Sequence, residues 1–307
     1  MNLNKIFFLI VITFAKMNAQ NIKYYSENNE DFADVYVEDN LVFTCRVAGI
    51  DNTGPTIILL HGFPETSKMW SKLLPFLSAK NYRVIAPDQR GYSSGARPLK
   101  VKDYSAHKLA QDVINIANSF GAKKFHLVGH DWGSAIGWYL SAFNKNRIIS
   151  YSALAVPHLD AFGDAILNDR IQKKKSTYIK FFRIRFLPEI FFKMSNYANL
   201  KRIWTSSDDQ EINSYMSVFS QKNALKTALH WYRATKLNSP TKIGDIHVPT
   251  LMIYGKKDLA IGEKAVDETK KYMKGPYFLK KTNLTHWLIQ DSFETISKEI
   301  LNHIKKY

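Results

Sequence analysis

Short, nearly unbroken apolar runs alternate along the chain with longer stretches of helical periodicity. That rhythm is the signature of a mostly parallel central sheet flanked by helices, an α/β fold. Thr56–Leu60, Tyr82–Asp88, Lys124–Gly129, Ile148–Val156 and Thr250–Gly255 read as buried strands, with Tyr277–Leu279 as a further one. Helical patterns lie between them at Ser105–Phe120, Gly133–Asn144, Glu263–Lys274 and Ser292–Lys306. Upstream, Ala33–Val37 and Leu41–Val47 resemble an antiparallel hairpin joined by Glu38-Asp39-Asn40.

The rhythm stops from about Leu159 to Asn238, where helix-like stretches rich in aromatics and lysine follow one another with no strand. An insertion of this size is too long for a loop in a compact domain. It predicts an inserted helical cap domain, 159–238, between two parts of an α/β core, 20–158 and 239–307.

The first residues have a different pattern. Lys5 precedes the apolar stretch Ile6–Ala15, and Asn18-Ala19-Gln20 follows. This matches a secretory signal peptide over residues 1–19, with a secreted or periplasmic mature protein. As a helix the stretch would span about 15 Å, half of a hydrocarbon core of about 30 Å. Lys16 closes it too early for a membrane anchor, and no stable membrane insertion is expected.

Composition adds exclusions. A hydrophobic fraction of 45% supplies a core, so the chain is not disordered. The only cysteine, Cys45, can close no disulfide and reads as a small core residue. The net charge of +16 is concentrated: residues 169–236 carry 14 Lys and Arg against 5 Asp and Glu. No nucleic-acid motif accompanies that excess, so a solvated helical face is the better reading and no nucleic-acid partner is expected.

The chemistry sits at the strand ends. Gly129-His130-Asp131-Trp132-Gly133 lies between an apolar strand and a helix and has the form of a nucleophile elbow. Its central residue is Asp131 rather than serine, so the nucleophile is a carboxylate that forms an alkyl ester with carbon. Hydrolysis of such an ester needs a base. His286 follows the last strand and Asp258 follows the one before it, the order in which the acid and histidine of such a triad occur. Asp160 and Asp267 are weaker candidates for the acid. The tetrahedral state needs an oxyanion hole, which the backbone amides of Phe63, after His61-Gly62, and Trp132 are placed to form.

His61-Gly62-Phe63-Pro64-Glu65, Asp88-Gln89-Arg90-Gly91-Tyr92, the elbow and Thr285-His286-Trp287 together resemble the α/β-hydrolase-fold epoxide hydrolases. The resemblance covers about residue 25 to the C-terminus. It implies two cap tyrosines that hydrogen-bond the epoxide oxygen, a small apolar epoxide substrate and no metal or organic cofactor. Tyr178, in Ser176–Phe182, and Tyr232, in His230–Arg233, match those segments, with Tyr215 and Tyr197 as fallbacks. A phenol of pKa about 10 stays protonated at neutral pH and can donate to the alkoxide that ring opening leaves. One departure is Thr285, where the family usually has glycine.

Haloalkane dehalogenases share the Asp-His-Asp logic and are the nearest rival. Phe63 stands where many of them carry asparagine, and they have no obvious use for the two tyrosines. Fluoroacetate dehalogenases grip a carboxylate with arginines at positions held here by Trp132 and Ala135. A non-catalytic secreted binding protein would be expected to lack a member of the site, and none is missing. A homodimer is left open.

Overall fold

The computed structural model describes residues 21–235 and 242–307. The signal-peptide expectation, 1–19, and the last residues of the expected cap range, 236–238, lie outside the described residues.

Among the described residues, nine strands form one sheet. They are β1 (Ile22–Glu27), β2 (Glu30–Val37), β3 (Leu41–Ala48), β4 (Thr56–Leu60), β5 (Arg83–Pro87), β6 (Phe125–His130), β7 (Ile148–Leu154), β8 (Thr250–Gly255) and β9 (Tyr277–Thr282), in the order β1-β2-β3-β5-β4-β6-β7-β8-β9. Pairing is antiparallel from β1 through β3 to β5 and parallel from β5 onward. Every residue of β4, β6 and β8 is buried, as expected of strands covered on both faces. Cys45 is buried in β3.

Three helices cover the sheet before the insertion: α1 (Leu73–Ser78), α2 (Ala106–Ser119) and α3 (Trp132–Phe143). Helix α2 shows how the pattern works. Ser105 caps it by accepting from the Lys108 amide, and Leu109, Val113, Ile116 and Ala117 turn one face inward. Its Asp112 forms a buried two-pronged ion pair with Arg90, at 2.6 and 2.7 Å.

Seven helices stand between β7 and the end of the first described segment: α4 (Leu159–Asn168), α5 (Arg170–Lys175), α6 (Thr177–Arg183), α7 (Leu187–Lys201), α8 (Asp209–Phe219), α9 (Ala224–Ala228) and α10 (His230–Ala234). Helix α7 is broken by non-helical backbone at Met194–Tyr197. The insertion is tied to the core through core carbonyls. Trp231 Nε1 donates to Arg90 O, Thr227 Oγ1 to Gly91 O, and Trp204 Nε1 to Pro64 O. Helices α11 (Glu263–Glu268), α12 (Leu288–Asp291) and α13 (Phe293–Ile304) complete the core. The helix expected over Glu263–Lys274 ends early. Thr269–Tyr272 tightens into a 3-10 turn, because Met273 pairs with Ile246 and Lys274 donates to the Ile246 carbonyl.

Candidate active site

Strand order turns back on itself at β5-β4-β6, which opens a crevice beyond the carboxyl ends of the parallel strands. Leu60 of β4 lies beside Gly129 of β6, so the loops leaving both strands meet. His61–Phe63 come from one and Asp131 from the other. Asp258 follows β8 and His286 follows β9, its parallel neighbour.

The turn at Asp131 is tight enough to hold a non-glycine residue at φ 51°, ψ −118°, a strained conformation of the kind found at functional sites. Its flanks must be glycine. A Cβ on Gly129 would meet the Gly133 carbonyl at 2.4 Å, and one on Gly133 would meet the Leu60 carbonyl at 2.1 Å.

The two oxygens of the Asp131 carboxylate have different neighbours. Oδ1 accepts from the Phe63 amide at 2.8 Å. Oδ2 lies 3.6 Å from His286 Nε2. Gly62 permits the first contact, since a Cβ there would sit 2.4 Å from Oδ1. Trp132 is the first residue of α3, so its amide belongs to the opening turn, whose donors have no intrahelical partner.

His286 is held from behind. Its Nδ1 lies 2.7 Å from Asp258 Oδ2, while Asp258 Oδ1 accepts from the amides of Ala260 and Ile261 at 2.7 and 2.9 Å. Burial opposes charge on both groups, and their mutual attraction outweighs it. Asp258 is lowered, and His286, which also faces Asp131, is raised well above the ordinary imidazole range. Lys175 of α5 donates to the Asp258 and Ile261 carbonyls, so the insertion also braces the loop that carries Asp258.

Tyr178 of α6 and Tyr232 of α10 come together above the elbow. The Tyr232 ring is 5.0 Å from that of Trp132, 5.5 Å from that of Phe63 and 6.3 Å from that of Tyr178. Burial first, then the Asp131 charge, pushes both phenols above their ordinary pKa, so both remain protonated donors at neutral pH. The fallbacks lie elsewhere: Tyr215 donates to Glu65 at 3.4 Å and Tyr197 to the Phe219 carbonyl. The alternative acids are also placed elsewhere. Asp160 accepts from the Ile243 and Gly244 amides, and Asp267 pairs with Lys281 at 2.6 Å.

Glu65 and His130 are among the ionisable residues of the quoted motifs to which the sequence assigns no role. Glu65 Oε2 and His130 Nδ1 lie 2.9 Å apart in the interior, and Gln290 donates to the other Glu65 oxygen at 2.7 Å. His130 Nε2 lies 2.9 Å from the His286 carbonyl, so the pair reaches His286 through its backbone. Thr285 has a similar supporting place. Its amide and hydroxyl both donate to Asp291 Oδ2 at 2.6 Å, which closes the loop that carries His286. His61 orients the Phe63 loop: its Nε2 accepts from the Gln89 amide, leaving Nδ1–H to face the Gly62 carbonyl at 3.0 Å.

Comparison with known proteins agrees with this architecture. Residues 55–293 match the alpha/beta hydrolase fold family. The chain is 31% identical to epoxide hydrolase 4 of Homo sapiens over 284 residues, 89% of this chain and 78% of that one. It is 30% identical to epoxide hydrolase 3 of Xenopus tropicalis over 272 residues, 85% of this chain and 74% of that one. Among solved structures, an epoxide hydrolase from Vigna radiata superposes with a TM-score of 0.76 at 25% identity, covering 94% of this chain and 99% of that one. The extent of these matches leads to one assignment: the chain belongs to the epoxide hydrolases of the α/β-hydrolase fold.

Proposed function

We propose that this protein hydrolyses a small apolar epoxide to a vicinal diol through an ester on Asp131. The division of the Asp131 carboxylate carries the reading. Oδ1 is engaged by the Phe63 amide, and Oδ2 is the oxygen left to attack carbon. Attack forms the Oδ2–C bond and breaks the C–O bond of the ring, whose electron pair goes to the ring oxygen. Tyr178 and Tyr232 hold that oxygen and supply its proton, a task suited to phenols kept protonated by their surroundings.

The ester is cleaved by water. His286 Nε2 takes a proton from the water as it attacks the carbonyl carbon, and Asp258 holds the imidazole in position. Oδ1 becomes the oxyanion, stabilised by the amides of Phe63 and Trp132. Collapse expels the second oxygen of the diol as an alkoxide, which takes the proton of the new carboxylic acid and so restores the carboxylate, and the proton held by His286 returns to the tyrosine pair. Once esterified, Asp131 no longer adds its charge to the forces that raise His286, so the imidazole loses its proton more readily when a base is required.

The insertion from Leu159 onward serves as the cap. It contributes both tyrosines and an aromatic wall in which Phe182 and Phe192 face Phe63, with ring centroids 5.5 and 6.3 Å away. That wall suits an apolar substrate. The reading is tested by offering an epoxide and a haloalkane separately to the wild type and to Asp131→Ala. Diol formation by the wild type alone, with no halide release, supports it. Halide release without epoxide turnover assigns the dehalogenase chemistry instead.

A further inference from the structure

The outer surface of the insertion between Ile184 and Met194 is out of keeping with a soluble protein. Ile184, Phe186, Leu187, Ile190, Phe191 and Met194 are all exposed, Phe186 to 68% and Ile190 to 59%. Leu187, Ile190 and Phe191 fall at i, i+3 and i+4 of α7, so they share one face, and Met194 stands where the helix breaks. Pro188 and Phe192 of the same helix are buried. The helix is therefore apolar on its inner side and again on its outer one. Phe186, whose ring is the most exposed of the group, is held at φ 67°. Left-handed backbone is costly for a bulky side chain, and here it has no glycine to relieve it.

The charges around this face have one sign. Lys180, Arg183, Arg185, Lys193, Lys201 and Arg202 belong to the same stretch. Its only acid, Glu189, is already engaged by Arg233 at 2.7 and 2.8 Å. Lys180, Arg185 and Lys193 are exposed beside the apolar side chains. An apolar ridge bordered by cations matches an anionic bilayer surface, where the side chains enter the interface and the cations meet lipid phosphates. No described helix is long and apolar enough to cross a membrane.

We propose that the Ile184–Met194 face docks the protein on the surface of an anionic phospholipid membrane. Only one layer of side chains separates that face from the candidate site. Phe191 meets Phe192 edge-on with ring centroids 5.4 Å apart, and Phe192 faces Phe63, whose amide holds Asp131. Docking thus brings the site to the solvent in which apolar molecules concentrate. Docking itself does not depend on the epoxide reading.

The test is co-sedimentation of the full protein with vesicles of phosphatidylcholine alone or mixed with phosphatidylglycerol. The wild type is expected to bind the mixed vesicles, more weakly as salt rises. Arg185→Glu with Lys193→Glu should weaken binding by at least about 25-fold, at roughly fivefold for each basic residue lost. Phe186→Ser with Ile190→Ser should weaken it at least about tenfold, while circular-dichroism spectra and melting temperatures like those of the wild type show that both variants are folded. Absence of wild-type binding overturns the proposal, as does binding that ignores vesicle charge or survives both double variants. A wild type that ignores vesicles but self-associates through Phe186 and Ile190 also overturns it, in favour of an interface between copies.

Discussion

The backbone N–H of Phe63 donates to Oδ1 of Asp131 at 2.8 Å, joining the loop after β4 to the elbow after β6. This bond selects which carboxylate oxygen is held and which is left facing His286. It exists because Gly62 lets the two loops approach: an added Cβ would lie 2.3 Å from the Asp131 Cβ. Gly62→Ala should therefore displace the carboxylate and lower kcat/KM by about a hundredfold. Steady-state kinetics with a check of folding by circular dichroism will show it. Wild-type kinetics in the variant would mean that the contact does not matter.

The charge on Asp131 should be felt at His286. Burial lowers the imidazole pKa, but Asp258 and Asp131 together outweigh it and raise the pKa well above the ordinary range. In Asp131→Asn a neutral amide stands in for the neutral ester, one raising influence is lost, and the pKa of His286 should fall relative to wild type. NMR titration of the His286 ring in both proteins measures this, and equal values would contradict the proposed release of the proton on esterification.

Tyr178 and Tyr232 are assigned to the same oxygen, so each should compensate in part for the loss of the other. Each single Tyr→Phe substitution should lower the rate of ester formation by about ten- to a hundredfold, and the double substitution by about 10⁴-fold. Pre-steady-state kinetics separates this step from ester hydrolysis, which should be little changed. A wild-type rate in one single variant, with the double variant no slower than the other, would show that only one phenol acts.

Glu211 of α8 provides a stability test away from the chemistry. Burial, then the neighbouring Glu65, raises its carboxyl from the usual 4.5 to about 7. The folded state thus binds a proton more tightly than the unfolded state, and this residue's contribution to stability falls as pH rises from about 4.5 toward 7. Glu211→Gln should be more stable than wild type above neutrality, by up to about 3 kcal/mol, and nearly equal to it in acid. Thermal melts at several pH values decide the matter, since a benefit confined to low pH would reverse the sign.

The frame of the site was legible in the sequence because its strands are plain and its residues stand at their ends. Runs such as Thr56–Leu60 and Thr250–Gly255 are apolar throughout because both faces are covered, and the motif residues begin where those runs stop. Edge strand β1 leaves no such trace. Only Ile22 and Tyr25 of its six residues are even partly buried, so Ile22–Glu27 lacks the alternation that marks a half-buried strand. The insertion was recognisable as helical but not divisible into its elements. Several of its helices are only five to seven residues long, and the breaks at Phe186 and at Met194–Tyr197 use backbone conformations with no glycine to announce them. The Glu65–His130 pair was hidden for another reason. Its members lie far apart in sequence, and nothing in either motif indicates that they meet behind His286.

The most direct test of the Asp131 ester is a single turnover of an epoxide in ¹⁸O-water with enzyme in excess, followed by mass analysis of the diol and of the peptide containing Asp131. Attack by Oδ2 and hydrolysis at the carbonyl carbon predict an unlabelled diol in the first turnover and ¹⁸O in the Asp131 carboxylate. A labelled diol formed with an unlabelled Asp131 would show that water attacks the epoxide directly, and would contradict the account.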